Sequence, residues 1–168
     1  MIGVLAHETG HIMGGHLART RSALRDTSAK SIISFVLGAA AIAAGQGQAA
    51  GAIISGGQQI AQRSFLKYSR MQESAADHAA LELLNEIGQS PRGMLEFLEK
   101  LGHQEALLTA AQDPYVRTHP LTRSRIETIK TALDGSQYSN SPETPEFEYL
   151  LVSAVFFFTT LQQPENST

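Results

Sequence analysis

The chain of 168 residues carries a formal net charge of −3 and contains no cysteine. Its length fits one domain that closes a hydrophobic core without disulfides, and its slight acidity gives no general attraction to nucleic-acid phosphates. The lack of cysteine excludes Cys-ligated zinc and thiol catalysis, which leaves the six histidines as candidate soft metal ligands.

The first predicted element is a helix from residue 2 to about residue 25, with the motif HETGH at residues 7–11 in its early turns. Ile2, Leu5 and Ile12 supply its apolar surface. Nothing before the motif resembles a signal peptide. This indicates either a cytosolic protein or a fragment. Because helix ends near a chain start fray, we expect a helix that carries chemistry to lie deeper in a chain, and we favour the fragment.

Residues 31–60 form an apolar region, in which the run SIISFVLGAAAIAA is followed by GQGQAAG and a second stretch of small residues. The run of roughly 14 residues is shorter than the ~20 that span a bilayer. We therefore favour two closely packed helices joined by a flexible Gly/Gln link. Contact of residues 31–60 with a membrane surface is the alternative.

Two further helices follow this region. The first begins near residue 52 or 58, ends at Leu84 before Gly88, and carries the sequence YSRMQESAAD. The second is capped by Ser90 and starts at Pro91. Its apolar stripe, which we expect to face the core, consists of Met94, Leu95, Phe97, Leu98 and Leu101.

The last predicted helix starts at Pro120, after the loop AQDPYVRTHP, and is closed by Asp134 and Gly135. Residues 1–134 are therefore predicted to form one helical core, and residues 135–168 a linker and an apolar tail. Residues 149–161 of this tail are equally compatible with a buried strand, a docked helix or a partner-binding segment.

The motif HETGH carries the clearest chemical signal. His7 and His11 lie one turn apart on one helix face, with Cβ atoms ~5–6 Å apart, so both imidazoles can bind one ion. Glu8 lies about 100° round the helix from His7, where a base for a metal-activated water molecule should be. The alternative is two surface histidines that happen to share a helix face.

The longer pattern HExxHxxGxxH is nearly matched, but its last histidine is not in place. Gly14 fits, whereas the pattern requires a histidine at Leu17 and the sequence has His16. In a continuous helix His16 would point about 180° away from His7. We interpret His16 as a surface or packing residue.

A third ligand is sought on a separate helix, where sites of the two-His-one-Glu type take their carboxylate. In QESAAD, Glu73 and Asp77 lie at i and i+4 and are separated by three small residues that let two helices approach closely. Glu73 is the candidate zinc ligand, and Asp77 the candidate acceptor for the remaining N–H of a ligand histidine. A solvated acidic face is the alternative.

His119 precedes Pro120, which restricts it to an extended conformation. Beside the site it would donate to the oxyanion of a tetrahedral intermediate or cover the metal when substrate is absent. A loop histidine without a role is the alternative. For Arg125 we consider three roles, namely orienting a carboxylate, binding the substrate near the oxyanion, and forming an ordinary surface ion pair.

Three stretches, GVLAHETGHIMGGHLAR, YSRMQESAADHAALELL and THPLTRSRIETI, together resemble the HtpX- and BepA-like metallopeptidases, gluzincins related to the CaaX prenyl proteases. The resemblance covers residue 2 to about residue 133. The family pattern is HExxH, then Ser-Arg-x-x-Glu-x-x-x-Asp, then His-Pro followed by Arg-Ile. The residues that match its second and third parts are Ser69, Arg70, Glu73, Asp77, His119, Pro120, Arg125 and Ile126.

The resemblance implies a mainly α-helical, zincin-type core in which the HExxH helix packs against the ExxxD helix. It implies one Zn²⁺ ion held by His7, His11 and Glu73, with Glu8 as the catalytic base and His119 as a second catalytic residue. It further implies an endopeptidase that cleaves polypeptides. Such an enzyme would be periplasmic or membrane-associated in bacteria, and often acts in envelope protein quality control. Family members also carry a cleft-building segment before the HExxH helix, which we expect to be missing from this fragment.

The alternative from another class is a non-catalytic, chaperone-like or binding module derived from a truncated metallopeptidase, which would hold unfolded protein on apolar surfaces. Zinc used only for structure is disfavoured because structural sites fill all four positions with protein ligands. The sequence leaves the natural substrate, the cleavage preference and the oligomeric state open.

Overall fold

The structure, a computed structural model, describes residues 1–102, 119 and 123–142. In chain order its helices are α1 (Ile2–Met13), α2 (His16–Ala43), α3 (Gly47–Glu86), α4 (Arg92–Gly102) and α5 (Arg123–Gly135). Within those ranges every regular element is a helix, which confirms the predicted mainly α fold.

The described residues form two compact units. The first contains Met1–Gly10 with the residues from Ala76 onward, and the second contains His11–Ala75. Both α1 and α3 contribute residues to each unit.

The hydrophobic core of the first unit is built from α1, the C-terminal part of α3, α4 and α5. Its buried side chains are Ile2, Ala6, Ala80, Leu84, Met94, Leu95, Leu98, Ile129 and Leu133. On α4 the buried positions recur at intervals of three and four residues, which places them on one face. The apolar stripe predicted for this helix is confirmed, with Phe97 partly buried at its margin.

Ser90 fixes the start of α4. Its Oγ accepts a hydrogen bond from Arg92 N at 3.2 Å, which is the predicted cap. The same hydroxyl donates to Ser139 O at 3.0 Å. Residues 136–142, which fall in the predicted linker, therefore form hydrogen-bonded turns that contact the start of α4.

The end of α5 at Gly135 agrees with the predicted stop. The described part of this helix begins at Arg123. The predicted helix start at Pro120 and the apolar stretch at residues 149–161 lie outside the described residues.

Gly14 and Gly15 separate α1 from α2. Gly15 has a φ of 61°, in the left-handed region that glycine adopts without a Cβ penalty. Its N–H donates to Ile12 O at 2.9 Å and closes the last turn of α1. The prediction of one helix from residue 2 to about residue 25 is wrong, because this glycine pair ends the first helix and a second one starts at His16.

The second unit contains a hairpin of α2 and the N-terminal part of α3. Small residues line the seam between them, since a Cβ at Gly38 would lie 2.5 Å from Ile54 Cγ1 and one at Gly57 would collide with Ser34 Oγ. The predicted pair of closely packed helices is confirmed. However, α2 begins at His16, so the basic residues and the apolar run share one helix.

Candidate metal centre

Glycine and alanine allow α1 to approach α3 closely. A Cβ at Gly10 would lie 2.7 Å from Ala76 O and 3.2 Å from Ala79 Cβ. A larger residue at position 10 would therefore force the two helices apart. The contact confirms the expectation that the HExxH helix packs against the ExxxD helix.

His7 is held by a carboxylate from α3. The side chain is 1% exposed, and its Nδ1 lies 2.8 Å from Asp77 Oδ1. This is the contact predicted for Asp77, in which a carboxylate fixes the tautomer and orientation of an imidazole. A metal held by His7 would therefore be bound through the other ring nitrogen, Nε2.

Arg125 supports the same carboxylate from α5. Its Nε donates to Asp77 Oδ2 at 2.6 Å and its Nη2 to Oδ1 at 2.9 Å, a bidentate pair. Burial by itself raises the pKa of the Asp77 carboxyl group, but the hydrogen bonds from His7 and Arg125 and the charge of Arg125 outweigh it. The pKa of Asp77 therefore lies below its usual value, and the carboxylate is ionised.

This geometry distinguishes between the roles considered for Arg125. The side chain is 4% exposed and its guanidinium is bound to Asp77. An ordinary surface ion pair is thus excluded by burial. The contacts are those of a residue that orients a carboxylate, and the expectation that Arg125 binds substrate near the oxyanion gains no support from this buried position.

His11 and Glu73 meet at a distance that suits a shared ion. His11 Nε2 lies 3.3 Å from Glu73 Oε1, and Glu73 is 3% exposed. Two atoms bound to zinc at ~2.0–2.1 Å and at the tetrahedral angle lie about 3.3–3.4 Å apart. The separation therefore fits one edge of a zinc tetrahedron.

His16 is a residue of this centre whose contact the sequence analysis missed. Its Nδ1 lies 2.9 Å from His11 Nδ1, and the two rings meet edge to face with centroids 4.8 Å apart. The side chain is 5% exposed, which agrees with a packing residue and not with a surface one. The signal for this contact was the pair of glycines before it, which turns the chain between His11 and His16.

Gln72 ties the first turn of α2 to the turn of α3 that carries Glu73. Its Nε2 donates to His16 O at 3.4 Å, and its Oε1 accepts from Thr20 Oγ1 at 3.2 Å. It also hydrogen-bonds Tyr68 Oη one turn earlier on α3. These contacts position the backbone at His16 beside the segment that presents Glu73.

Glu8 and His119 form the more exposed side of the centre. His119 Nε2 lies 3.6 Å from Glu8 Oε1, beyond normal hydrogen-bond distance. The Oε1 atom is buried and has no hydrogen-bond partner among the described residues. Because an unsatisfied buried carboxylate oxygen costs free energy, it is more typical of a functional group than of a structural one.

Candidate ligand atoms lie close together within each unit. Those of His7 and His119 in the first unit are within 4.8 Å of each other, and His11 contacts Glu73 in the second. His7 and His11 lie one turn apart in α1. Imidazole nitrogens and one carboxylate are the ligand types that zinc accepts, so the residues present fit such a group.

Three known proteins show the extent of the sequence similarity. The beta-barrel assembly-enhancing protease of Yersinia pestis is 28% identical over 150 residues, which are 89% of this chain and 30% of that protein. The protein of the same name from Escherichia coli K12 is 30% identical over 128 residues, 75% of this chain and 26% of the relative. The putative beta-barrel assembly-enhancing protease of Vibrio cholerae is 26% identical over 154 residues, which are 92% of this chain and 31% of that protein.

The chain thus spans less than a third of the length of these relatives. No solved structure matches it. Residues 1–133, which contain all three motifs, match peptidase family M48. The chain belongs to peptidase family M48.

Proposed function

We propose that this chain is the catalytic part of a zinc-dependent endopeptidase that hydrolyses peptide bonds in polypeptides. The observation that carries the proposal is the 3.3 Å separation of His11 Nε2 and Glu73 Oε1, with His7 one turn from His11 on the same helix. Membership of a peptidase family supports the reaction class.

In this proposal His7, His11 and Glu73 are the three protein ligands of one zinc ion. Both histidines have their Nδ1 atoms engaged, His7 with Asp77 and His11 with His16, so each presents Nε2. A set of three protein ligands leaves one position open, as catalytic zinc sites do. When bound, zinc supplies a Lewis acid that polarises a carbonyl group and makes water more acidic.

Glu8 is the proposed general base. Its carboxylate takes the proton from the attacking water and passes it to the nitrogen of the leaving amine. The adjacency of Glu8 to His7 in the chain, and its partly exposed side chain, support this role because the base must reach both substrate and water.

His119 is proposed to donate a hydrogen bond to the oxyanion that forms on the scissile carbonyl, or to cover the metal position when substrate is absent. Its ring packs edge to face with His7, with centroids 5.5 Å apart, and its Nε2 lies near Glu8. Both roles require an imidazole at the entrance of the site, which suits its partial exposure.

The place of action is proposed from the relatives. Their names describe proteases that enhance β-barrel assembly, and we infer that this chain works in envelope protein quality control, in the bacterial periplasm or at a membrane. The polypeptide substrates would then be envelope proteins.

One experiment tests the assignment of Glu73 as a ligand separately from the assignment of Glu8 as the base. Casein degradation and zinc content are measured on the same preparations of the wild type, Glu8→Gln and Glu73→Gln, with the exposed Glu82→Gln of α3 as control. We expect Glu8→Gln to keep zinc and to lose about 10²–10⁴-fold in rate. Glu73→Gln should lose zinc, and Glu82→Gln should change neither.

Retained cleavage in Glu8→Gln would reject the base assignment, and unchanged zinc content in Glu73→Gln would reject Glu73 as a ligand. A wild-type chain that binds unfolded casein without cleaving it, with or without a chelator, would favour the chaperone-like alternative.

A further inference from the structure

We propose that the outer face of α2 docks on the surface of a membrane that contains anionic phospholipid. The proposal rests on the second unit, residues 11–75, and is independent of the proposed peptidase activity.

The α2/α3 hairpin buries small side chains and exposes large apolar ones, the reverse of the usual arrangement in water. Its seam buries small side chains, among them Ser34, Ala50 and Ala61, and Ile54 packs into it at Gly38, whereas the large apolar side chains of α2 are exposed. Those in its uncharged part are Ile32 (61% exposed), Ile33 (58%), Phe35 (50%), Val36 (62%), Leu37 (54%) and Ile42 (60%). A water-exposed hairpin normally buries its large apolar residues, while helices in lipid pack through small ones.

One stripe of α2 combines cations with this apolar surface. Arg21, Arg25, Ile32 and Val36 follow one another at intervals of four, seven and four residues, which keeps them on one helix face. All four are exposed. In such a stripe the arginines can meet lipid phosphates while the branched side chains enter the boundary of the acyl chains.

The charge of α2 complements an anionic surface. The helix α2 carries four basic and one acidic side chain, a net charge of +3, in a chain whose total is −3. Residues 31–62 carry no charge at all. This concentration of positive charge beside an uncharged apolar stretch is the pattern of segments that bind anionic lipid.

The geometry favours docking on the membrane over crossing it. Among the described residues, α2 is the one helix long and apolar enough to span a bilayer by length and composition. However, its N-terminal half carries Arg19, Arg21, Arg25, Asp26 and Lys30. The uncharged part from Ser31 to Ala43 is about 20 Å long at ~1.5 Å per residue, less than the ~30 Å hydrocarbon core.

The opposite side of the hairpin is suited to water. Gln58, Gln59 and Gln62 of α3 are exposed, as are Arg63 and Lys67 beyond them. By the helical period Arg63 lies on the face of α3 away from the seam residues Gly57 and Ala61. Large apolar side chains are exposed on α3 as well, among them Ile60, but α2 exposes more of them.

Vesicle flotation of the 168-residue chain tests this assignment. We expect the chain to float with vesicles of phosphatidylcholine and phosphatidylglycerol, to bind phosphatidylcholine alone much more weakly, and to be released as salt screens the charges. Ile32→Asn with Val36→Asn should lower the bound fraction about tenfold or more. Arg21→Gln with Arg25→Gln should lower binding to the anionic vesicles only.

Matched controls lie on the other side of the hairpin. Ile60→Asn, at a residue that is 62% exposed on α3, and Arg63→Gln with Lys67→Gln should each have a much smaller effect than the α2 variants. All of these positions are exposed, so helical content by circular dichroism should be unchanged.

The proposal would be overturned if the wild-type chain failed to float with anionic vesicles, or if the α2 and α3 variants lost vesicle binding equally. It would also be overturned if the chain did not bind vesicles but formed dimers at high concentration, and the α2 variants abolished these dimers. The last result would assign the face to a second copy of the chain.

Discussion

His16 Nδ1 lies 2.9 Å from His11 Nδ1, so the second histidine of the HETGH motif is oriented by another histidine and not by a carboxylate. His7, by contrast, faces the ionised Asp77. The two candidate ligands are thus oriented by different groups, His7 by a carboxylate and His11 by an imidazole. His16 is a positioning residue in this account, because it acts on the metal only through His11.

Loss of this support should weaken metal binding without removing a ligand. We expect His16→Ala to lower zinc affinity about 10–100-fold, the usual effect of removing a partner that orients a metal-bound histidine. Competition with a chromophoric chelator measures this directly. His78→Ala, an exposed histidine on α3, should leave the affinity unchanged, and an equal loss in both variants would contradict the positioning role.

Arg125 should matter for stability even without metal. Arg125→Met leaves the buried Asp77 carboxylate without its bidentate partner, which we expect to cost about 3–5 kcal/mol. Urea unfolding of the metal-free chain gives this value. The control is Arg123→Met at an exposed position of the same helix, where a change of about 0.5 kcal/mol or less is expected. Similar values for both variants would show that the buried pair contributes little.

Gly10 should be required for the approach of α1 to α3. A Cβ at this residue would lie 2.7 Å from Ala76 O, so we expect Gly10→Ala to cost about 1–3 kcal/mol as an overpacking change. It should also weaken zinc binding, because the helices that carry the ligands would shift. Gly51→Ala, whose Cβ would meet nothing within 4 Å, should instead stabilise the helix by up to about 1 kcal/mol.

Gly15 should tolerate asparagine better than alanine. Its φ of 61° is strained for a residue with a Cβ, and nothing lies within 4 Å of that position, so strain alone decides the effect. We expect Gly15→Ala to cost about 1–2 kcal/mol and Gly15→Asn less, because asparagine adopts the left-handed region more readily. Equal costs in urea unfolding would show that the backbone here relaxes to another conformation.

The sequence predicted the elements whose signals are local. Ser90 and the stripe of α4 combined a cap with helical spacing, and both were found where expected. The pairing of Asp77 with a motif histidine could be inferred because i and i+4 spacing fixes which side chains share a face.

Other features depended on contacts between distant residues. The helix break at Gly15 was missed because helical periodicity continued on both sides of the glycine pair. The burial of Arg125 was not foreseeable, since a surface arginine and one that meets a buried carboxylate look the same in a single sequence. The contact of His16 with His11 followed from the same missed break.

We assign one zinc ion to His7, His11 and Glu73. Zinc-edge X-ray absorption of the zinc-loaded chain detects these ligands, and we expect one ion per chain with two imidazole nitrogens and a carboxylate oxygen at ~2.0–2.1 Å. In Glu73→Gln the bound zinc should be lost or its oxygen shell altered. A spectrum without imidazole scattering, or one unchanged in Glu73→Gln, would rule out this ligand set.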